Sequence, residues 1–197
     1  AYMPYFQSGA NTFGEVAFLV RLYHRALAGL DTVGLIVGTR PDCLHPAILD
    51  ELAQLARETF VVVELGLQSA HDQTLERINR RHSVADFVQA CQKLRERNIF
   101  VAVHLILGLP GEGQAEMEAS IDRVVACDVQ AIKFHHLQIY RDTVLANEYE
   151  RGSMGLLDEH TYPTLLVDLL ERLPWEVTVM RLMTNTTSST LLAPIWQ

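Results

Sequence analysis

The segment Phe100–Glu112, FVAVHLILGLPGE, restricts the fold more than any other stretch of the chain. Eight mostly apolar residues lead into a turn that contains Gly108, Pro110 and Gly111, and an acidic helix start follows. By the two-residue period of a strand, one face of this segment is wholly apolar, whereas the other carries His104 among small residues. Such a strand is typical of a barrel, with helices on one side and a cavity on the other. The glycines let backbone N–H groups approach a ligand closely.

Strand and helix patterns alternate along the whole chain, with strand starts roughly 30 residues apart, which predicts βα units on a parallel sheet. No low-complexity linker divides the sequence, so we expect one domain over residues 1–197. For the first helix, Thr12 together with Glu15 predicts a capping box.

A doubly wound sheet and a barrel both fit this alternation, but the inward-facing positions of the strands favour a barrel. They are too small and too polar to fill a dry interior, so they predict an enclosed polar pocket at the carboxyl ends of the strands. Because buried charges need partners, we expect Glu64 to pair with Lys133. The inward positions are Gly34, Ile36, Gly38, Arg40, Glu64, Gly66, Gln68, His104, Gly108, Lys133 and His135.

Composition excludes several classes of protein. Hydrophobic residues make up 49% of the chain and charged residues 20%, as in a globular protein, and no apolar run approaches the roughly 20 residues that span a bilayer. The net charge of −8 disfavours a nucleic-acid surface, which needs a basic face. Cys43, Cys91 and Cys127 lie far apart and fit neither a disulfide framework nor a metal motif, so we expect reduced, mostly buried thiols and a cytoplasmic location.

Arg40 and Gln68 follow strand ends, Arg80 lies between two helices, and each of the three has a functional and a structural interpretation. Arg40 in GTRPD can clamp a carboxylate or pair with Asp42 in its own loop. Gln68 in ELGLQSAHD can bond a ribose hydroxyl or a ligand carboxylate, or it can stabilise a turn. Arg80 in RINRRHS can bind an anion at the pocket mouth or lie on a solvated face. His104 can equally be a hydrogen-bonded core histidine.

These strings, GTRPD, ELGLQSAHD, RINR, HLILGLPGE, IKFHHL and LLAPIW, together resemble a bacterial Fe–S oxidoreductase family of the radical S-adenosylmethionine (SAM) superfamily. That family is related to tRNA methylthiotransferases and elongator-type catalytic subunits. The resemblance implies a partial (β/α)6 barrel with parallel strands and outer helices. It also implies that a [4Fe–4S] cluster, reduced by an electron donor, cleaves SAM to methionine and a 5′-deoxyadenosyl radical that abstracts hydrogen from a substrate.

The resemblance also assigns positions around SAM in this sequence. Within Tyr5–Ser8, Tyr5 and Gln7 correspond to the strand near the SAM amino group, and Arg40 corresponds to the next strand's loop. Gln68, Arg80 and His104 correspond to positions that contact the SAM ribose and carboxylate. Gly108, Leu109 and Pro110 correspond to the loop whose backbone reads adenine. His135 and Leu137 correspond to the strand beside adenine. No catalytic residue and no metal ligand is assigned.

One departure from the family pattern concerns the cluster. The family's three cysteines, spaced C-x3-C-x2-C or a variant, belong on a first strand upstream of Tyr2. Cys43, Cys91 and Cys127 cannot replace them, because cluster thiolates must converge from one loop. Since the chain also begins with AYMPYF rather than an initiator Met, we expect a truncated, inactive piece whose missing first strand leaves an edge open to dimerisation.

Two alternatives stay open beside this prediction. One is a non-catalytic SAM- or nucleotide-binding module that never had the cysteines. The other is a metal-dependent barrel hydrolase that uses His104 and His135, although the first strand ends without a His-x-His pair and the last strand without an Asp. The substrate stays open, and no membrane partner is expected.

Overall fold

The computed structural model of the chain describes residues 1–184 and 188–196. None of the helices in these two ranges is long and apolar enough to cross a membrane. A 3₁₀ turn covers Pro41–Cys43, and the helices and strands, in chain order, are β1 (Tyr5–Phe6), α1 (Val16–Leu27), β2 (Gly34–Thr39), α2 (Pro46–Glu58), β3 (Phe60–Gln68), α3 (Asp72–Arg77), α4 (Val84–Arg95), β4 (Phe100–Leu107), α5 (Gln114–Ala126), β5 (Ala131–His136), β6 (Ile139–Tyr140), α6 (Val144–Glu150), α7 (Thr161–Leu170), β7 (Thr178–Arg181) and β8 (Leu191–Ala193).

Six strands form one sheet in the order β1-β2-β3-β4-β5-β7, and every neighbouring pair is parallel. Strands β6 and β8 form a separate antiparallel pair. The large sheet is strongly curled, because Lys133 Nζ on β5 lies 3.3 Å from the Tyr5 hydroxyl on β1 although three strands separate them in the sheet. The predicted α/β fold, a partial barrel of parallel strands with outer helices, is confirmed.

The main core lies between the outer face of the sheet and the helices. Alternate residues of each strand pack there, as the two-residue period predicts, and the helices contribute stripes at three- and four-residue spacing. Complete burial of one such aliphatic side chain stabilises the fold by about 1.5–3 kcal/mol. Representative fully buried members are Val37, Leu49, Leu52, Val63, Leu65, Phe87, Val103, Leu105, Ile121, Phe134 and Leu169.

The predicted capping box before α1 is wrong. Glu15 itself is the N-cap residue, and its carboxylate accepts hydrogen bonds from the backbone N–H groups of Ala17 and Phe18. The Thr12 side chain is buried and bonds the Thr39 hydroxyl across the loop instead. A buried tertiary contact therefore takes the hydroxyl that the local sequence pattern assigns to the helix end.

Candidate functional site

The inner face of the curled sheet is built in layers along the strands. At the amino ends of the strands a small apolar cluster closes the base. Its buried members are Val62, Ala102 and Ala131, and Met3, Ile36 and Phe100 pack against them. The buried charged side chains Glu64 and Lys133 follow two residues after Val62 and Ala131 and so lie above this base.

A carboxylate with three donors forms the middle layer. Glu64 on β3 is 1% exposed and accepts hydrogen bonds from Tyr5, from His104 Nε2 at 2.8 Å and from Lys133. The predicted pair of Glu64 with Lys133 is thus confirmed. The ammonium of Lys133 also lies 4.6 Å from the centroid of the Tyr5 ring.

These donors decide the ionisation of the layer. Burial alone would raise the pKa of Glu64, but the hydrogen bonds from His104, Lys133 and Tyr5 outweigh it and hold that pKa at about 2. Burial and the bond to Glu64 together raise the pKa of the Tyr5 hydroxyl. At neutral pH the layer therefore contains an ionised carboxylate and a protonated phenol.

His104 fits the structural interpretation left open for it. Its side chain is 19% exposed, and its Nε2 is bonded to Glu64. A role of His104 against a ribose stays a prediction.

Gln68 and Arg80 meet above this layer, over Gly66. A Cβ atom placed on Gly66 would lie 2.8 Å from Gln68 Nε2 and 3.0 Å from Arg80 Nη2, so a larger residue would push the ends of these two side chains aside. Gln68 adopts a left-handed backbone conformation with φ of 73°, where the strand register shifts. A non-glycine residue held in this conformation at a strand end is typical of a functional site.

Arg80 combines a fixed position with unused donor capacity. Its Nη2 donates to the Gly66 carbonyl at 2.9 Å, and its backbone N–H donates to Leu75 O at the end of α3. The Arg80 Nε is buried and has no hydrogen-bond partner among the described residues. Neighbouring His82 anchors the same loop through Nε2 to the Leu67 carbonyl at 3.3 Å.

The turn after β4 is packed on both sides. Gly108 has a φ of 80°, and the side chain of Leu157 lies 3.0 Å from where a Cβ of Gly108 would be. The Gly108 N–H donates to Met117 Sδ, and the Leu107 carbonyl accepts from Leu137 N at 2.9 Å. Leu109, Pro110 and Leu137 are all buried. This segment is therefore ordered by the protein itself.

His135 lies on β5 with its ring 5.3 Å from that of His104. Its Nδ1 shares a hydrogen bond of 2.6 Å with the Thr184 hydroxyl, while its buried Nε2 has no partner within the described part of the chain. Burial, followed by the nearby charges of His104, Arg181 and Lys133, lowers the pKa of His135 to about 4. The imidazole is therefore neutral at pH 7, with one free nitrogen.

This low pKa predicts a pH dependence of stability. An unfolded histidine titrates near 6.5, so the unfolded chain binds the proton more readily, and the free energy of unfolding falls as pH falls from about 6.5 towards 4. We expect His135→Gln to remove part of this slope in urea unfolding, whereas His160→Gln, at a side chain that is 91% exposed, leaves it unchanged. An equal slope in wild type and His135→Gln would contradict the assignment.

Two of the predicted site residues make other contacts than those predicted, although Arg40 is close enough for its charge to act on Arg80. Arg40 forms a two-pronged ion pair with Asp42, with Nε donating at 2.9 Å, which is the structural alternative stated for it. The Gln7 side chain is exposed, although its backbone lies beside Gly38.

Sequence reasoning missed two neighbours of His135. Thr184 bonds its ring, and Arg181 contributes a positive charge beside it. Arg181 is in register with Lys133 on the adjacent strand. Extending the inward-facing pattern to β7 would have found Arg181, whereas Thr184 follows the strand and had no such signal.

The sequence matches two family models. The Radical SAM superfamily model matches residues 5–124, which is more than half of the chain, and the Radical_SAM C-terminal domain model matches residues 129–197. The chain belongs to the radical SAM superfamily. The family resemblance predicted from the strand-end motifs is confirmed.

Among curated relatives, protein YhcC of Escherichia coli K12 is 41% identical over 196 residues. These residues are 99% of this radical SAM chain and 63% of YhcC. YtqA of Bacillus subtilis is 37% identical over 195 residues, which are 99% of the chain and 61% of YtqA. The chain thus spans somewhat less than two thirds of the length of these two relatives.

Solved structures show the same radical SAM fold. Archaeal Methanocaldococcus infernus Elp3 superposes with a TM-score of 0.75 at 22% identity, over 84% of this chain and 39% of Elp3. Coproporphyrinogen III oxidase (HemN) of E. coli, a radical SAM enzyme, gives a TM-score of 0.59 at 17% identity, over 79% of this chain and 35% of HemN. At these identities the comparison speaks for the fold alone.

The group formed by Gln68, Arg80 and His135, which lies above the Glu64 layer, fits the SAM that the superfamily implies. A ligand with a carboxylate, hydroxyls and a nitrogen base offers partners to the free Arg80 Nε, the Gln68 amide and His135 Nε2, all on the inner side of the sheet.

The described residues of this chain do not fit the [4Fe–4S] cluster that the superfamily also implies. No group of three or more His, Cys, Asp or Glu side chains able to hold a metal occurs in residues 1–184 and 188–196. The hydrolase alternative therefore gains no support from His104 and His135. Cys91 and Cys127 adjoin each other, whereas Cys43 contacts Asp42, so these three thiols do not converge as ligands of one cluster.

Proposed function

We propose that this chain binds SAM at the carboxyl ends of β3, β4 and β5, as the SAM-binding core of a radical SAM enzyme. The observation that carries the proposal is the convergence of Gln68 and Arg80 over Gly66, with donor capacity that no described residue uses. Family membership supports the ligand, since the superfamily model covers β3 and β4 and the C-terminal domain model covers β5.

Each side chain has a stated task in this proposal. The Arg80 guanidinium, held by the Gly66 carbonyl, donates to the ligand carboxylate. The Gln68 amide bonds either that carboxylate or a ribose hydroxyl. Tyr5 and Gln7 face the ligand amino group, His104 lies near the ribose, and Gly108, Leu109, Pro110, His135 and Leu137 enclose the adenine.

Within the middle layer, Glu64 and Lys133 contribute position and charge, whereas Tyr5 and His104 also face the ligand. Glu64 holds the Tyr5, His104 and Lys133 side chains in one arrangement and excludes water from the space beneath the ligand. Its negative charge offsets that of Lys133, and the Arg80 guanidinium is the cation that we assign to the ligand carboxylate.

The chemistry that SAM supplies when it is bound beside a [4Fe–4S] cluster is hydrogen abstraction from a substrate. For the longer protein we propose such an enzyme, with an electron donor for the cluster, an unassigned substrate and a cytoplasmic location. Its relatives include tRNA uridine(34) acetyltransferase of Dehalococcoides mccartyi, 27% identical over 155 residues. The net charge of −8 disfavours RNA binding by this part of the protein.

Calorimetric titration of the purified chain with SAM tests the proposal. We expect saturable binding, and we expect Gln68→Ala to weaken it by about 1 kcal/mol, or about fivefold, because one neutral hydrogen bond is lost. Gln89→Ala is the control, since Gln89 is exposed on α4. Equal affinities of wild type and Gln68→Ala, or no saturable binding, would exclude this assignment.

A non-catalytic SAM-binding module would pass the same titration. The two functions separate in the longer protein after anaerobic reconstitution with iron and sulfide. Release of 5′-deoxyadenosine from SAM under reduction identifies the enzyme, and intact SAM identifies the module.

A further inference from the structure

Two of the three cysteines lie side by side, far from the proposed SAM site. Cys91 on α4 is 1% exposed, and Cys127, which caps the end of α5, is 8% exposed. Both line one surface groove together with Val88 and Arg95, and the two thiols lie close enough for each to change the pKa of the other. The third, Cys43, is more exposed and makes only a 3.8 Å contact with Asp42.

An ion pair holds the same two helix faces together. Arg95 lies one turn after Cys91 on α4, and its Nη2 is 2.6 Å from an Oδ2 of Asp128, the residue after Cys127. The proximity of the two cysteines therefore follows from how the ends of α4 and α5 pack.

We propose that Cys91 and Cys127 form a reversible disulfide when the chain meets a disulfide oxidant such as glutathione disulfide. The Cys127 thiolate attacks one sulfur of the oxidant, which makes a mixed disulfide and releases one glutathione thiolate. Cys91 then loses its proton and attacks the Cys127 sulfur, which releases the second glutathione. The protein gives up two protons and two electrons, and one glutathione disulfide becomes two glutathiones.

The charges around the groove favour this order of attack. Interaction with the Cys91 thiol lowers the pKa of Cys127, and Arg123 and Arg95 act in the same direction against the opposing effect of burial. The same interaction, with burial, raises the pKa of Cys91. The less buried thiol is thus the nucleophile, and its neighbour completes the disulfide.

The disulfide would close a loop around the centre of the fold. The chain between Cys91 and Cys127 contains β4, the Gly108 turn and α5. A cross-link over a loop of this length restricts the unfolded chain, so we expect the oxidised protein to melt at a higher temperature than the reduced one.

Thiol mapping tests the inference. Wild type and Cys43→Ser are equilibrated with glutathione disulfide, alkylated with a maleimide, digested and mapped by mass spectrometry. We expect a peptide that links Cys91 to Cys127 in both, no such link in Cys127→Ser, and recovery of both thiols with dithiothreitol. The melting temperature of oxidised Cys43→Ser should fall on reduction, whereas that of Cys127→Ser should not change.

If both remaining thiols of Cys43→Ser were still alkylated at the highest concentration of glutathione disulfide, the inference would be wrong. Glutathione adducts without a disulfide between Cys91 and Cys127 would also overturn it. Because the test needs no SAM, its outcome is independent of the titration proposed above.

Discussion

Glu64→Ala is expected to lower the free energy of unfolding by about 3–5 kcal/mol, because it leaves the Lys133 ammonium buried without a countercharge. It also removes the acceptor shared by Tyr5 and His104. Urea unfolding followed by circular dichroism measures the change. A loss below about 1 kcal/mol, the scale of an exposed pair, would contradict the buried carboxylate described here.

Two variants control this measurement. Glu76→Ala removes an exposed carboxylate from α3 and should change stability by no more than about 0.5 kcal/mol. The double variant Glu64→Leu with Lys133→Met removes both charges and should recover much of the loss, because an apolar pair needs no compensation.

The same carboxylate gives the wild-type chain an acid limit. The pKa of Glu64 is about 2 in the folded state against about 4.5 when unfolded, so its stabilisation, on the order of 3 kcal/mol, is present above pH 4.5 and disappears as pH falls towards 2. Glu64→Gln should lack this part of the pH dependence, while the part between pH 6.5 and 4 assigned to His135 should remain.

Arg80→Ala is expected to weaken SAM binding by about 1.5–3 kcal/mol, or roughly 10- to 150-fold, because a carboxylate then loses a charged donor. The effect should exceed that of Gln68→Ala, whose amide is neutral. Arg80→Lys should recover only part of the affinity, since an ammonium cannot donate to the Gly66 carbonyl and a carboxylate in the same planar geometry.

Arg81→Ala is the matched control for Arg80→Ala. Arg81 is adjacent in sequence, carries the same charge and is exposed, with its Nε bonded to Asn79. If Arg81→Ala weakened SAM binding as much as Arg80→Ala, general electrostatic attraction would account for the effect, and the placement of Arg80 would be wrong.

The parts of this fold that follow from short-range patterns could be predicted from the sequence. The two-residue period placed Glu64, His104 and Lys133 on one face of the sheet, and the need to pair a buried charge predicted the contact of Glu64 with Lys133. The glycine at position 66 predicted room beside Gln68, where the structure places the amide and a guanidinium.

Contacts that depend on the curl of the sheet could not be predicted in this way. Tyr5 reaches Glu64 only because β1 and β5 approach each other across the inner face, and no local pattern in a two-residue strand encodes that approach. Whether Arg40 pairs with Asp42 or with a ligand depends on the loop conformation. Whether the Thr12 hydroxyl caps the helix depends on Thr39, a partner 27 residues away. Such choices are decided by tertiary packing.

The layered inner face fills the barrel from its amino end, so a small molecule on the inner side would bind near the carboxyl ends of the strands. The apolar base and the Glu64 layer occupy the inner face towards the amino ends of the strands. A ligand or product would therefore enter and leave over the rim formed by the carboxyl ends of the strands. The Leu157 side chain packs against Gly108 at that rim, and thus the segment between α6 and α7 borders the path of a ligand that enters there.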